Sequence, residues 1–334
     1  MYKLKKSSYP QTVVGGGKIL ELNIMKFYGI LLVILGHVAF CYTSMGAVPP
    51  AVPSDFMCII KDVIYSFHMP MFVFVSGCVF AFQVEIRKKE YTLPSLIKNK
   101  LKRLLLPYYV FAYLWVLPTM FYLGKEPLQY AKGLLVGIDS RHLWYVMMLF
   151  GVFILFYVLR LLCNRFRIPH YVILVVAILL YIIPCTVVYF QIDNIFRYLL
   201  WFSAGYFLFL NRRWIRYTLV STCILSGIMF MARVEVLDSL LMLSNGFIGI
   251  CIFYYISLHS KQLLKSRIFQ VISKDSFGIY LFHAMIIYIT EKLFQPYEVE
   301  PAILSIIVFL TALVLSIFLT EVVRLCKLEI IIGE

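Results

Sequence analysis

Charge is what this 334-residue chain has least of: 14% of its residues are Asp, Glu, Lys or Arg, where a soluble globular protein carries about a quarter. With 62% of the residues hydrophobic, too little polar surface remains to solvate a globule of this length. Acidic residues are the scarcer sign, 17 against 31 Lys and Arg, for a net charge of +14. In a soluble protein that excess would suggest nucleic acid. Here the basic residues fall between apolar runs, where they report topology instead. The chain lacks a P-loop, a G-x-G-x-x-G and a G-x-S-x-G elbow, so nucleophilic serine chemistry has no support. It also lacks any pair of histidines four residues apart, the usual helical metal pattern, and no metal is expected. Its eight cysteines, Cys41, Cys58, Cys78, Cys163, Cys185, Cys223, Cys251 and Cys326, include no C-x-x-C. They read as small buried hydrophobes, and a Cys41–Cys58 disulfide has no positive support. No internal repeat and no low-complexity tract breaks the pattern.

What the chain has in abundance is apolar runs of about 20 residues, the length that crosses about 30 Å of hydrocarbon as a helix. The runs are continuous rather than alternating, so helices are expected and not a barrel. The expected fold is an all-α integral membrane protein of about ten transmembrane helices. Their expected places are near 24–42, 67–84, 104–123, 142–162, 170–189, 195–210, 217–232, 240–258, 272–290 and 302–323. Pro70 is expected in the first turn of the second helix, where proline is tolerated. Phe56–Tyr65 is expected to lie at the membrane surface, and Pro107 and Pro118 to kink the third helix. The first run is read as a retained helix rather than a cleaved signal, because further spans follow it. Three parts follow: a basic arm over 1–22, a membrane domain over 23–326 and a short tail over 327–334.

Lys and Arg crowd alternate loops. One set includes the segment 85–103, with Arg87, Lys88, Lys89, Lys98, Lys100, Lys102 and Arg103, and the clusters Arg160–Arg165–Arg167 and Arg212–Arg213–Arg216. The other set is sparse, with Lys61, Lys125, Lys132, Arg141, Arg197, Arg233 and Lys292. The asymmetry places both termini in the cytoplasm.

The first helix carries Lys26 and His37. Eleven steps of about 100° bring them to within roughly 20° of one helix face, about 16 Å apart along the axis. A titratable ring at depth with a cation at the membrane edge is costly and usually serves function. The plain alternative is a snorkelling lysine and a histidine hydrogen-bonded in the bundle. Under the expected topology His37, His68, His142 and His283 share the non-cytoplasmic half, whereas His170 and His259 lie at the cytoplasmic surface. Imidazole is well suited to move protons near pH 7. The cytoplasmic cations Lys26, Lys100, Lys102 and Arg103 can hold phosphates, although most of that loop is explained by charge-dependent retention. A phosphorylated head with a long thin arm reaching toward His37, such as an acyl-CoA, fits this spacing.

Several stretches carry a resemblance. They are Lys26 and His37 separated by ten residues, Ser66-Phe-His-Met-Pro-Met-Phe-Val-Phe-Val-Ser-Gly77, Arg103-Leu-Leu-Leu-Pro-Tyr108, His142-Leu-Trp-Tyr-Val146 and Ser276-Phe-Gly-Ile-Tyr-Leu-Phe-His283. In order and spacing the chain resembles the acyltransferase type 3 family, in the branch of sugar O-acetylases and exopolysaccharide succinyltransferase-like proteins. The family usually has arginine where Lys26 stands, and lysine lacks the bidentate fork.

The resemblance implies a bacterial cytoplasmic-membrane enzyme. It would move an acyl group, acetyl before succinyl, from cytoplasmic acyl-CoA to a hydroxyl of a glycan or other envelope molecule. Acyl-CoA would be a co-substrate rather than a resident cofactor. His37 would be the general base, or the carrier of an acyl-histidine intermediate. Lys26 and Arg103 would bind the CoA end. His68, Arg141, His142 and His283 would shape the acceptor side, with Trp144 and Tyr145 as sugar-facing aromatics. Interfacial anchoring explains Trp144 and Tyr145 equally, and Ser76 and Gly77 equally suit close helix packing. Asp62 and Asp193 lie on the acceptor side without a spacing that pairs either with His37. An exporter or flippase of a lipid-linked glycan is the competing function. Such a protein often shows paired halves, which this sequence does not. A membrane scaffold would leave Lys26 and His37 unexplained.

Overall fold

A computed structural model describes residues 14–15, 18–211, 217, 221 and 238–334. All but two residues of the expected seventh helix at 217–232, the basic cluster Arg212–Arg213–Arg216 and most of the N-terminal arm lie outside the described residues. A two-residue ribbon pairs Val14 with Ile19 and Gly15 with Lys18. Otherwise the described chain is helical: α1 (Leu20–Cys41), α2 (Asp55–Ala81), α3 (Leu93–Tyr122), α4 (Pro127–Leu135), α5 (Trp144–Arg165), α6 (Val172–Ile182), α7 (Ile192–Leu210), α8 (Asp238–His259), α9 (Arg267–Phe294) and α10 (Pro301–Leu325). Among the described residues, six stretches are long and apolar enough to cross a bilayer: Leu20–Cys41, Asp55–Ile86, Leu93–Tyr122, Arg141–Arg165, Arg267–Phe294 and Pro301–Leu325. The protein is therefore an all-α membrane protein.

Three boundaries differ from expectation, each for a physical reason. α2 begins at Asp55, where the Ser54 side chain accepts from the Met57 N–H. Pro70 thus sits inside the helix and not in its first turn. The stretch 56–65 is simply the first half of α2, with Phe56, Ile59 and Val63 facing outward. An interior proline costs about 3 kcal/mol on its own, and here it is buried with Met69 and Met71 on both sides.

α3 begins at Leu93, capped reciprocally by Thr92 and Ser95, so Lys98, Lys100, Lys102 and Arg103 ride on a helix rather than in a loop. Its ladder widens into π turns at Leu101–Leu105 and Ala112–Val116, each ending just before Pro107 or Pro118. A wider turn relieves the clash of a proline ring with the preceding turn and the loss of its donor. The run expected at 170–189 is helical only over Val172–Ile182. Ile183, which precedes Pro184, is extended at ψ 117, as the residue before a proline tends to be.

α1 packs against α2, α8, α9 and α10, and α2 packs against α7. At the α2–α7 crossing a Cβ on Gly77 would strike the Phe202 carbonyl, and one on Gly205 would strike the Phe74 carbonyl. Two backbones therefore touch, a close approach that small residues permit in membranes. The thiol of Cys78 donates to the Gly205 carbonyl there at 3.2 Å. Beyond this crossing, Arg160 of α5 binds Glu85 at 2.7 Å, and the Tyr206 hydroxyl donates to the same carboxylate at 2.5 Å. Cys41 and Cys58 are both free.

Because carbonyls cannot move aside as a flexible side chain can, Gly205→Leu should cost about 1–3 kcal/mol or more. In a detergent or nanodisc melt this should appear as a clear fall in the thermal midpoint, while an exposed change such as Leu114→Ala should leave it nearly fixed.

Candidate functional site

Position 37 is reached by α1, position 68 by α2, position 142 by the 3-10 turn Arg141–Leu143 ahead of α5, and position 283 by α9. Three of these rings form a cluster. The His37 and His283 centroids are 4.8 Å apart, His142 and His283 5.2 Å, and His37 and His142 6.3 Å. His68 joins through Tyr65, whose ring is 4.8 Å from His68 and 6.1 Å from His37. His170 and His259 stand apart, bonded to Asn164 and to the Tyr255 carbonyl.

The hydrogen bonds set the tautomers, since a ring nitrogen facing a carbonyl must carry the proton. Nδ1 of His37 donates to the Val33 carbonyl at 2.9 Å. It also faces Nε2 of His283 at 3.4 Å. Nδ1 of His283 donates to the Tyr280 carbonyl at 2.7 Å. His283 therefore offers Nε2 as an acceptor to His37. The lone pair of His37 is left on Nε2, which makes no hydrogen bond to the described residues. His37 is half-buried, whereas His68, His142 and His283 are buried. Nε2 of His142 donates to the Leu281 carbonyl at 3.0 Å, and its Nδ1 is buried without a partner among the described residues. The hydroxyl of Tyr280 donates to the His142 carbonyl, locking the α5 entry against α9.

Two cavities flank this cluster. One, of about 180 Å³, is lined by Lys26 and Val33 of α1, by Met69, Phe72, Val75 and Ser76 of α2, by Leu104, Tyr145 and Leu149, and by Ser276, Phe277 and Tyr280 of α9. It runs from the level of Lys26 to Val33, whose carbonyl holds His37. The other, of about 460 Å³, is lined by Gly137, Asp139, Ser140, Arg141, Trp144, Gln191, Asn194 and Tyr198. Trp144 and Tyr145, adjacent in sequence, thus face different cavities.

Arg141 donates from Nε to the Tyr130 hydroxyl at 3.0 Å. Burial pushes the Tyr130 phenol above its ordinary value, with Arg141 pulling the other way. Arg103 is exposed and lines neither cavity, although Leu104 next to it lines the smaller. Lys100 reaches inward to sit 3.3 Å from the centre of the Phe153 ring.

Sequence reasoning did not single out Tyr280, Ser276 and Phe277 as cavity-lining residues. Tyr280 stands three residues before His283, on one helix face, which was a usable signal. Gln191, Asn194 and Tyr198 were missed too. Asn194 and Tyr198, four residues apart at the start of α7, share a helix face, whereas Gln191 precedes the helix in a left-handed conformation and gave no such signal.

Three imidazoles gathered between the helices of a bundle, with a cavity beside them, define the class: a polytopic helical membrane protein with a histidine cluster in its interior. The comparison with known families sharpens that class: the model for the acyltransferase domain, type 3, matches residues 19–321. The chain belongs to the acyltransferase type 3 family, and the protein is a membrane acyltransferase. No curated relative and no solved structure matches it.

Tyr280→Phe strips a donor from a buried carbonyl, which should cost about 1–3 kcal/mol. A thermal melt of the variant should fall accordingly, and histidine-selective NMR should show the His142 signals displaced.

Proposed function

We propose that the protein transfers an acyl group, acetyl in preference to succinyl, from acyl-CoA to a hydroxyl of a glycan or other envelope molecule. His37 acts as general base. The observation that carries this reading is the 180 Å³ cavity leading from Lys26 toward the Val33–His37 turn. Its walls are mostly apolar, as a thin, uncharged thioester arm requires. Lys26 meets the phosphorylated handle at the cavity's start. Arg103, exposed one residue from the wall, meets the nucleotide end outside. The basic-loop bias puts this end at the cytoplasm, in the cytoplasmic membrane of a bacterium.

The acceptor hydroxyl approaches Nε2 of His37. Its oxygen attacks the thioester carbonyl carbon while Nε2 takes the proton. The tetrahedral adduct then collapses, the C–S bond breaks, and the CoA sulfur takes the proton back from His37. During this exchange the ring is briefly cationic. Its Nδ1–H then points at two acceptors, the Val33 carbonyl and Nε2 of His283, which favour the charge. His283 is a positioning residue, and His68, Arg141, His142 and Trp144 shape the acceptor side.

The test is acyl transfer by the purified protein with radiolabelled acetyl-CoA and envelope glycan extract. His37→Ala should lose about 10²–10⁴-fold in rate. Lys26→Ala should raise the KM for acetyl-CoA with a smaller change in kcat. A His37→Ala variant that transfers at the parental rate would overturn the mechanism. A protein that moves glycan across vesicles without consuming acyl-CoA would instead be an exporter. Succinyl-CoA in a parallel reaction separates the two donors.

A further inference from the structure

The larger cavity, of about 460 Å³, lies in the size range of small-molecule sites. It is built by two loops held in costly conformations. Asp139 and Arg141 in one loop, and Phe190 and Gln191 in the other, are non-glycine residues with φ of 57, 49, 55 and 60°. Left-handed backbone in such residues is uncommon and clusters where ligands are clamped. The loops are tied to each other: the Phe190 N–H donates to the Val136 carbonyl at 2.6 Å, and Gln191 Nε2 to the Gly137 carbonyl at 2.6 Å. The cross-bonds thus hold the left-handed segments on both sides of one open cavity in place.

Its chemistry is specific. Asn194 donates from Nδ2 to Gln191 Oε1 at 2.7 Å, which leaves the Asn194 carbonyl oxygen for an incoming donor. Among the described residues Arg141 bonds through Nε to Tyr130, and it lines the cavity. Asp139 supplies a carboxylate, the strongest acceptor for paired hydroxyls. Trp144 and Tyr198 contribute two rings 5.5 Å apart, inclined at 52°, so that flat apolar faces stand beside the polar groups. One carboxylate and one guanidinium cancel, which disfavours a strongly anionic guest. Trp144 and Arg141 flank His142, whose ring is 5.2 Å from His283 and 6.3 Å from His37.

From this arrangement we infer that the cavity is a docking site for an uncharged, hydroxyl-rich sugar ring, the acceptor unit of a glycan, with Asp139, Gln191, Asn194 and Tyr198 as previously unassigned contacts. The inference rests on the acyl-transfer reading for its role as acceptor, but sugar binding is measurable without any transfer. Stacking of the ring's C–H face on Trp144 and Tyr198 provides area. The Asp139, Arg141 and Asn194 groups select the hydroxyl pattern.

The experiment uses the full-length protein in lipid nanodiscs on an array of bacterial surface oligosaccharides, with glycerol-coated and lipid-coated spots as controls. Wild type and the exposed control variant Leu114→Ala should bind the same subset of neutral sugars. Asn194→Ala and Asp139→Asn should weaken that binding at least about tenfold, and Tyr198→Phe should retain most of it. Where Asn194→Ala fails to accumulate, Asn194→Ser carries the same test. Wild type binding no sugar above the controls would overturn the assignment, as would folded Asn194 and Asp139 variants that bind like wild type. Sugar binding without acyl transfer would support the cavity's role and defeat the acyl-transfer reading alone.

Discussion

The hydrogen bond from Nδ1 of His37 to the carbonyl of Val33, at 2.9 Å, is the constraint on which the site depends. It is an i to i−4 bond within one helix, so the helix itself fixes the tautomer. With the proton held on Nδ1, the lone pair must sit on Nε2. The neighbouring His283 reinforces this by donating its own Nδ1–H to the Tyr280 carbonyl, which turns its bare Nε2 toward His37. Two helices thereby leave one imidazole nitrogen with a lone pair, and among the described residues no carboxylate bonds to either ring. The general rule that an oriented partner sets a histidine's reactive nitrogen is met here by backbone and a second imidazole.

The rest of the bundle keeps those helices in register. α1 is enclosed by α2, α8, α9 and α10, so the face bearing Val33 and His37 has little freedom to rotate. α2 is held against α7 by the contact of backbone on backbone at Gly77 and Gly205. α9 is tied to α10 and the C-terminal turn by ion pairs. Arg324 reaches Asp275 at 2.5 Å, Glu321 at 2.6 Å and also Glu334, while Lys274 binds Glu321 at 2.8 Å. These contacts gather at the Lys26 end of the bundle, away from the histidines. The charged network therefore braces the scaffold, while the histidine layer is built from imidazole rings, carbonyls and aromatic edges.

Much of this was legible in the amino-acid order. The helical fold followed from apolar length alone, and the eleven-residue spacing of Lys26 and His37 placed both on α1, where the structure has them. His142 and His283 were singled out by depth, and the structure brings both to His37. The starts of α2 and α3 were not legible. Pro70 reads as a helix opening by local preference, yet packing on both sides carries the helix through it. The cations before Arg103 read as loop, yet the Thr92–Ser95 cap begins a helix there. The larger cavity was hidden for another reason. Asp139 comes from a loop and Asn194 from the first turn of α7, far apart in sequence, and apart from Gly137 the left-handed residues that shape the walls are not glycines.

The most direct test of the account is the 15N spectrum of the His37 ring in selectively labelled protein, assigned by loss of its signals in His37→Gln. In the neutral ring the account predicts a protonated, pyrrole-type Nδ1 and a bare, pyridine-type Nε2. The reverse pattern, with the proton on Nε2, would contradict it, because the nitrogen given the role of base would then have no lone pair to use.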